Sequence, residues 1–333
     1  MVSFLLSFPD VRRRQAVAVM LAVLLLPSGH AQSYPDRPVR IVVPFPAGGV
    51  IEGTARLTAK ALSDQLGQPF IIENKAGANG VIGTSVVAKS AADGYTLLLT
   101  TGSFIGNAAL RENLPYDPLK DFSPITQISE SSYGMVMVAR ADFDAKNLAD
   151  LIELARKNPG KYSYANAGTG NITHIAGELF KKEAGVDLLS VPYQGTAPAM
   201  VAVMSGQADF LIFSGSLALP QIKNGKLKAY AVTGKSRMPA LPDIPTLAEA
   251  GYPKATIVGY TGLWAPAGTA PVIIQKLQSI VKQAVKQPPL STALQEADST
   301  GIGSTPSEFS AYLERDLVEQ RKQMRIAGIR PER

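Results

Sequence analysis

The chain has two histidines and no cysteine, and one histidine, His30, falls in an N-terminal export-like segment. That leaves His174 as the one imidazole available for chemistry in the rest of the chain. Zinc sites of the usual histidine and cysteine type are therefore not available. A serine nucleophile would have to use His174 as its base, and no Gly-x-Ser-x-Gly elbow accompanies it. His174 lies in the first turn of an expected helix, where the helix dipole disfavours the protonated ring. A neutral histidine hydrogen-bonded beneath a loop is preferred over the general base of an exported hydrolase. Gly168-Thr-Gly-Asn-Ile-Thr173 resembles a dinucleotide fingerprint lacking its third glycine. The next expected strand, 188–191, runs into Pro192-Tyr193 without the acidic residue a ribose would need. A phosphate loop of the Gly-x-x-x-x-Gly-Lys-Ser/Thr type is absent from the sequence.

What remains is chemistry of binding. In Ile41-Val-Val-Pro-Phe-Pro-Ala-Gly-Gly-Val-Ile-Glu52 an apolar β-branched run stops at Pro44, and Gly48-Gly49 precede a helical pattern. Successive backbone N–H groups in such a loop, with the open N–H groups of the next helix, form an anion site. A second loop of this kind, Tyr162 to Asn171, leads through Gly168 and Gly170 into the helix that carries His174. Thr101, Ser103, Asn166, Thr169, Thr173, Tyr193, Thr196 and Ser214 add hydroxyls, amides and a phenol at expected strand ends. No base or metal cluster accompanies them, so such a set orients a small ligand.

The elements around these residues read as β and α in alternation. Strands are expected at 39–43, 70–73 and 95–100, with helices between them, which is a parallel βαβαβ unit. An irregular proline-rich span covers 115–124. A second α/β unit follows, with strands near 134–139, 162–165, 188–191, 209–213 and 227–233. A further strand is expected at 257–265, then three helical stretches from about Pro271, Leu290 and Pro306. Two such units facing each other place a ligand in the cleft between them, with hinge closure as the natural motion.

Arg12-Arg-Arg14, the apolar run Ala16 to Leu26 and Gly29-His-Ala31 read as an export signal cleaved after Ala31, by the general secretory route in preference to the twin-arginine one. The apolar run is shorter than the roughly 20 residues a membrane span needs. The 333-residue chain carries 33 basic and 27 acidic side chains, a net charge of +6. That excess is too small and scattered to imply nucleic acid, and it mildly favours anionic ligands.

Ordered motifs along nearly the whole mature chain resemble one family. They are Tyr34-Pro-x-Arg-Pro-Val-Arg-Ile-Val-Val-Pro-Phe-Pro-Ala-Gly-Gly49, Glu73-Asn-Lys-Ala-Gly77, Asp93-Gly-Tyr-Thr-Leu97, Leu114-Pro-Tyr-Asp-Pro118, His174-Ile-Ala-Gly-Glu-Leu-Phe180, Val191-Pro-Tyr-x-Gly195 and Leu241-Pro-Asp-Ile-Pro-Thr246. The chain resembles the Bug family, the extracytoplasmic solute-binding proteins of tripartite tricarboxylate transporters. The resemblance implies a type II periplasmic binding protein fold, two α/β domains with a ligand cleft between them. It also implies a periplasmic location, a small carboxylate ligand and handover to a two-subunit membrane permease. A monomer is expected, with residues 34–132 and 256–333 in one domain and 133–255 in the other. A receptor that senses ligand through the same cleft is the alternative.

Residues and resemblance together nominate a ligand-binding set. In the first loop it comprises Phe45, Ala47, Gly48, Gly49 and Glu52; after the third strand, Thr101, Ser103 and Phe104. In the second loop it comprises Asn166, Gly168, Thr169, Gly170, Thr173 and His174, and beyond it Tyr193, Thr196, Ser214 and Tyr260. No catalytic residue, metal ligand or cofactor is expected. Glu52 stands where relatives commonly have Asp, and Ser214 where many have an acidic residue. The loss of that acid speaks against amino-acid ligands, whose ammonium group wants an anion.

Overall fold

The computed structural model describes residues 34–48, 50–131 and 133–329, with Val50 described in its backbone alone. The chain divides into a short unit, Met1–Asp36, and a main unit, Arg37–Arg333. The expected export signal and its cleavage point therefore lie outside the described residues.

Two sheets form. The first begins with β1 (Val39–Val43), crosses through α1 (Val50–Leu66) to β2 (Phe70–Asn74), then through α2 (Val81–Ala88) to β3 (Thr96–Thr101). These three strands pair in parallel, with Ile41 opposite both Ile72 and Leu97. Their side chains explain the arrangement: β1 and β3 are buried almost throughout, as parallel strands covered on both faces must be. After α3 (Ser103–Leu110), β4 (Phe122–Ser131) runs antiparallel to a strand from far downstream.

The chain then enters the second sheet with β5 (Met135–Arg140). It continues through α4 (Leu148–Lys157), β6 (Ser163–Asn166), α5 (Ile172–Ala184), β7 (Leu189–Pro192), α6 (Thr196–Met204), β8 (Phe210–Ser214), α7 (Gly215–Lys223) and β9 (Leu227–Val232). It returns as β10 (Tyr260–Pro266), α8 (Pro271–Ala284), α9 (Leu290–Glu296), β11 (Ser299–Gly301) and α10 (Pro306–Ala327). The first sheet has the order β11-β4-β10-β3-β1-β2 and the second β7-β6-β8-β5-β9. This is the mixed α/β, two-sheet architecture expected from the sequence.

The expected irregular span ends in β4, a ten-residue strand. Its polar run and Pro124 hide it, and it is held by pairing with β10 and β11, more than a hundred positions away. The strand expected at 257–265 starts later, at Tyr260, because 257–259 belong to the return crossover.

The two crossings between sheets are stitched to each other. Thr233, fully buried, donates its hydroxyl to Ile257 O at 2.7 Å and accepts from Met135 N at 2.8 Å. Gly134 and Gly234 meet here. A Cβ on Gly134 would stand 2.4 Å from Gly234 N, and one on Gly234 2.2 Å from the Tyr133 carbonyl carbon, so only glycine fits either position.

Each sheet has its own core. Phe104, Tyr116, Phe122, Trp264 and Phe309 interlock in the first, with Phe104 edge-on to Phe122 at 5.0 Å between centroids. The second sheet is covered on both faces. The helix α10 joins the two: Phe309 and Leu313 pack in the first core, whereas Met324 packs in the second. Its start is fixed by Thr305 and Glu308, which cap each other's backbone, and its end by Gly328 in the left-handed conformation.

Candidate functional site

A cavity of about 240 Å³ lies between the sheets, walled by elements of both. From the first come Phe45, Ala47 and Ile51, Thr101 and Gly102 at the end of β3, Ser129 and Ser131 on β4, and Tyr260 and Thr261 on β10. From the second come Asn171, Ile172 and Thr173 at the start of α5, Gln194 to Pro198 before and into α6, and Ser214 at the end of β8. No charged side chain of the described residues lines it. The wall is apolar surface carrying isolated hydroxyls and amides, a composition that orients a small molecule.

The first loop is held from below. Asn74 donates its amide to Phe45 O at 3.1 Å and to Glu52 Oε2 at 2.9 Å, and Glu52 also pairs with Arg56. Glu52 is buried, and its carboxylate shapes the loop's support and does not face the cavity. Gly48 has φ +79° and is exposed beside Ala47, while Gly49 lies outside the described residues.

The second loop is knit by its own side chains. Asn166 Oδ1 accepts from Gly168 N at 3.0 Å, and its amide donates to Ser190 Oγ at 3.0 Å. Asn171 caps α5 by accepting from Thr173 N at 3.0 Å and from the Thr173 hydroxyl at 3.1 Å. That hydroxyl accepts in turn from Ala167 N at 2.8 Å. Gly170 N donates to His174 Nδ1 at 3.3 Å, which occupies that nitrogen as an acceptor and places the ring beneath the loop.

The loop also reaches across the cleft. The Asn171 amide donates to Ser103 Oγ and to Asn79 Oδ1, both at 3.2 Å, and Asn79 donates to Asn107 Oδ1 at 3.2 Å. Asn79 sits at φ 53°, a left-handed conformation that asparagine tolerates better than most residues. Gly106 on α3 packs against the Gly170 carbonyl, where a Cβ would come within 3.0 Å. A bidentate asparagine and a glycine contact thus join the two lobes beside the cavity.

Of the nominated residues, Phe45, Ala47, Thr101, Thr173, Thr196, Ser214 and Tyr260 line the cavity. Ser103, Asn166 and His174 do not line it: Ser103 accepts from the lining residue Asn171, whereas Asn166 and His174 hold the backbone of Gly168 and Gly170 in the second loop. Gly168, Thr169 and Gly170 shape the second loop without lining the cavity. Phe104 is turned away: α3 carries it into the aromatic core, 1% exposed and 4.9 Å from the Trp264 ring. The Tyr193 ring packs against the core of the second sheet, and its N–H donates to Asn166 O at 2.8 Å. Asn171, which lines the cavity and was not nominated, ends the second loop in sequence, and its partner Asn79 lies 92 positions away. Ser129, Ser131 and Ser299 belong to β4 and β11, strands the sequence pattern does not show.

Tyr260 separates the cavity from a second one. Its hydroxyl donates to Asp316 Oδ2 at 2.9 Å, and burial together with the Asp316 charge pushes its phenol well above the ordinary range. Burial also raises the Asp316 carboxyl to about 6, although bonds from Tyr260 and Gln320 pull it back. Among the described residues no group of three or more histidine, cysteine or acidic side chains could hold a metal ion. No helix of these residues is long and apolar enough to cross a membrane.

A two-lobed α/β protein with an uncharged interlobe cavity is built as a solute-binding protein, and solved structures of that class align with it. The periplasmic binding protein BugD is 36% identical, with a TM-score of 0.84, covering 90% of this chain and 100% of BugD. An R. palustris protein with adipate is 32% identical with a TM-score of 0.85, covering 90% and 100%. MatC from Rhodopseudomonas palustris with bound malate is 33% identical with a TM-score of 0.81, covering 87% and 99%. Residues 54–323 match the family model described as the tripartite tricarboxylate transporter family receptor. The chain belongs to this receptor family, the Bug proteins, and is a binding protein and not an enzyme.

Proposed function

We propose that the protein captures a small carboxylate in the interlobe cavity and hands it to the two-subunit permease of a tripartite transporter. It acts as a monomer in the periplasm, after cleavage of the export signal following Ala31. Residues 34–132 with 256–333 form one domain and 133–255 the other, and they close on the ligand about the crossovers at Gly134 and Gly234.

The observation that carries the reading is the cavity wall: donors contributed by both lobes, an apolar body between them, and no charged side chain. A carboxylate in such a place is held by N–H dipoles, hydroxyls and water, an arrangement suited to one or two carboxylates and not to multiply charged phosphates. Ala47 and Gly48 with Thr101 form the first receptor, and Thr173 with the amides before α5 the second. Phe45, Ile51, Met135, Ile172 and Tyr260 offer surface to an aliphatic or aromatic body. A mono- or dicarboxylate with such a body is favoured over citrate or an amino acid, since Ser214 offers no anion to an ammonium group. Adipate and malate in related structures support the ligand class. A ligand bridging both lobes stabilises the closed arrangement by its differential affinity for it.

Thermal shift against adipate, an aromatic dicarboxylate, malate, citrate and glutamate tests the reading. The first two are expected to raise the melting temperature most. The largest shift from glutamate or citrate would overturn the preference, and no shift from any carboxylate would overturn the function.

A further inference from the structure

Behind Tyr260 lies the second cavity, about 280 Å³, comparable in size to the first. It too is walled by both lobes: Ile172 and Ile175 of α5, Ile257 and Val258 of the return crossover, Lys235 just past β9, and the face of α10 that carries Arg315, Asp316 and Gln320. Gly102, Ile172 and Tyr260 are shared, each presenting surface to both cavities.

The chemistry differs sharply from the first cavity. Lys235 and Arg315, both on this wall, are exposed and make no ion pair or hydrogen bond with any described residue. Glu319, also on the wall, is engaged by Lys322 at 3.4 Å. The floor is polar but satisfied. Asp316 accepts from Tyr260 and, at 2.8 Å, from Gln320, whose amide also donates to Gly102 O at 3.4 Å. Ile172, Ile175 and Ile257 supply the apolar part of the wall.

We propose that this hinge-side cavity is a second ligand site, for a small carboxylate with an apolar body whose charged end is held by Lys235 and Arg315. The site goes beyond the cleft reading and does not depend on which carboxylate the cleft takes. Because its wall is drawn from both lobes, an occupant binds the lobe arrangement described here and not one with the lobes apart. By linkage it raises the affinity of the cleft for its own ligand, and the cleft ligand raises the affinity of this site equally.

The test uses the full mature protein with benzoate, adipate and sulfate as probes, followed by backbone-amide NMR and calorimetry. Benzoate is expected to shift the amides of Ile175, Lys235 and Gln320, in addition to any effect at the cleft. The double variant K235Q/R315Q changes only exposed side chains. It should weaken that event about tenfold or more, as loss of charge-assisted bonds does, while a cleft event persists. Thr101→Val should do the reverse, weakening the cleft event and leaving the hinge-side shifts in place. No shift at the three hinge-side residues, or shifts unchanged in K235Q/R315Q, would overturn the proposal. Sulfate binding as tightly as benzoate would mean an adventitious ion only, and would overturn it as well. A Thr101→Val variant that binds every probe normally would instead overturn the cleft reading alone.

Discussion

After β1 the chain enters the cleft through Phe45, Pro46, Ala47 and Gly48, the last three exposed, with one side-chain bond among the described residues, from Asn74, reaching the loop's backbone. After β6 the equivalent turn is threaded by Asn166, Asn171, Thr173 and His174, each bonded to backbone within it, and it is pinned across the cleft by Asn171. One sequence device, strand then glycines then helix, is therefore used in two ways. The first loop offers open backbone to a ligand, and the second is a rigid wall that also joins the lobes. The difference teaches that glycine in such a loop has no single meaning, since what surrounds it decides its cost and its use.

The largest expected effect sets the two loops against each other directly. A Cβ at Gly170 would come within 2.3 Å of Leu110 Cδ2, in a side chain 1% exposed, at φ +75°. Gly170→Ala should cost about 2–4 kcal/mol of stability, from overpacking added to backbone strain. At Gly48 nothing lies within 4 Å of the added atom, so Gly48→Ala should cost only the backbone term at φ +79°, about 1 kcal/mol. Denaturant melts of the two variants measure both, and equal losses would erase the contrast.

A second contrast lies between the uncharged cleft and Asp316 behind it. Because burial holds its folded carboxyl at about 6, above the unfolded value of 3.8, the native state binds more protons between those values. Its contribution is fully present below pH 4 and is lost as pH rises through 6. Asp316→Asn should therefore stabilise the protein by roughly 1–3 kcal/mol at pH 8 and leave it little changed at pH 4. The groups facing Asp316 are Tyr260, Tyr312, Arg315, Glu319 and Gln320. Thermal melts across that range check the sign, and stabilisation confined to low pH would contradict it.

Asn171→Ala removes a helix cap and the bridge to Asn79 and Ser103 together. It should lower stability by about 1–2 kcal/mol and weaken carboxylate binding by more than tenfold, as calorimetry would read. Asn74→Ala, which frees the first loop from this bond and also takes a donor from buried Glu52, should weaken binding only a few-fold and lower stability by about 1 kcal/mol. His174→Gln is the smallest change, because glutamine can still accept from Gly170 N, and affinity should hold within a few-fold. If Asn74→Ala proved the costlier of the two asparagine changes, the assignment of rigid and open loops would be reversed.

Most strands are legible in the sequence because buried parallel strands must be apolar runs, and β1, β3 and β8 are. The glycine loops are legible because they punctuate those runs. β4 is not, since Ser123, Pro124, Gln127 and Ser129 break any pattern and its partners come from the other end of the chain. Its serines were lost to the site with it. Phe104 misleads for a different reason: it follows Thr101 and Ser103 closely, but a helix begins at Ser103 and turns the ring into the core. The Asn79–Asn171 bridge needs two segments 92 positions apart, and nothing local signals it.

A crystal structure of the mature protein grown with adipate tests the central claim most directly. The ligand is expected in the interlobe cavity, with carboxylate oxygens about 2.7–3.2 Å from donors of both loops, at Ala47, Gly48 or Thr101 on one side and at Thr173 on the other. Adipate seated against lysine or arginine side chains alone, or held by one lobe without the other, would contradict it.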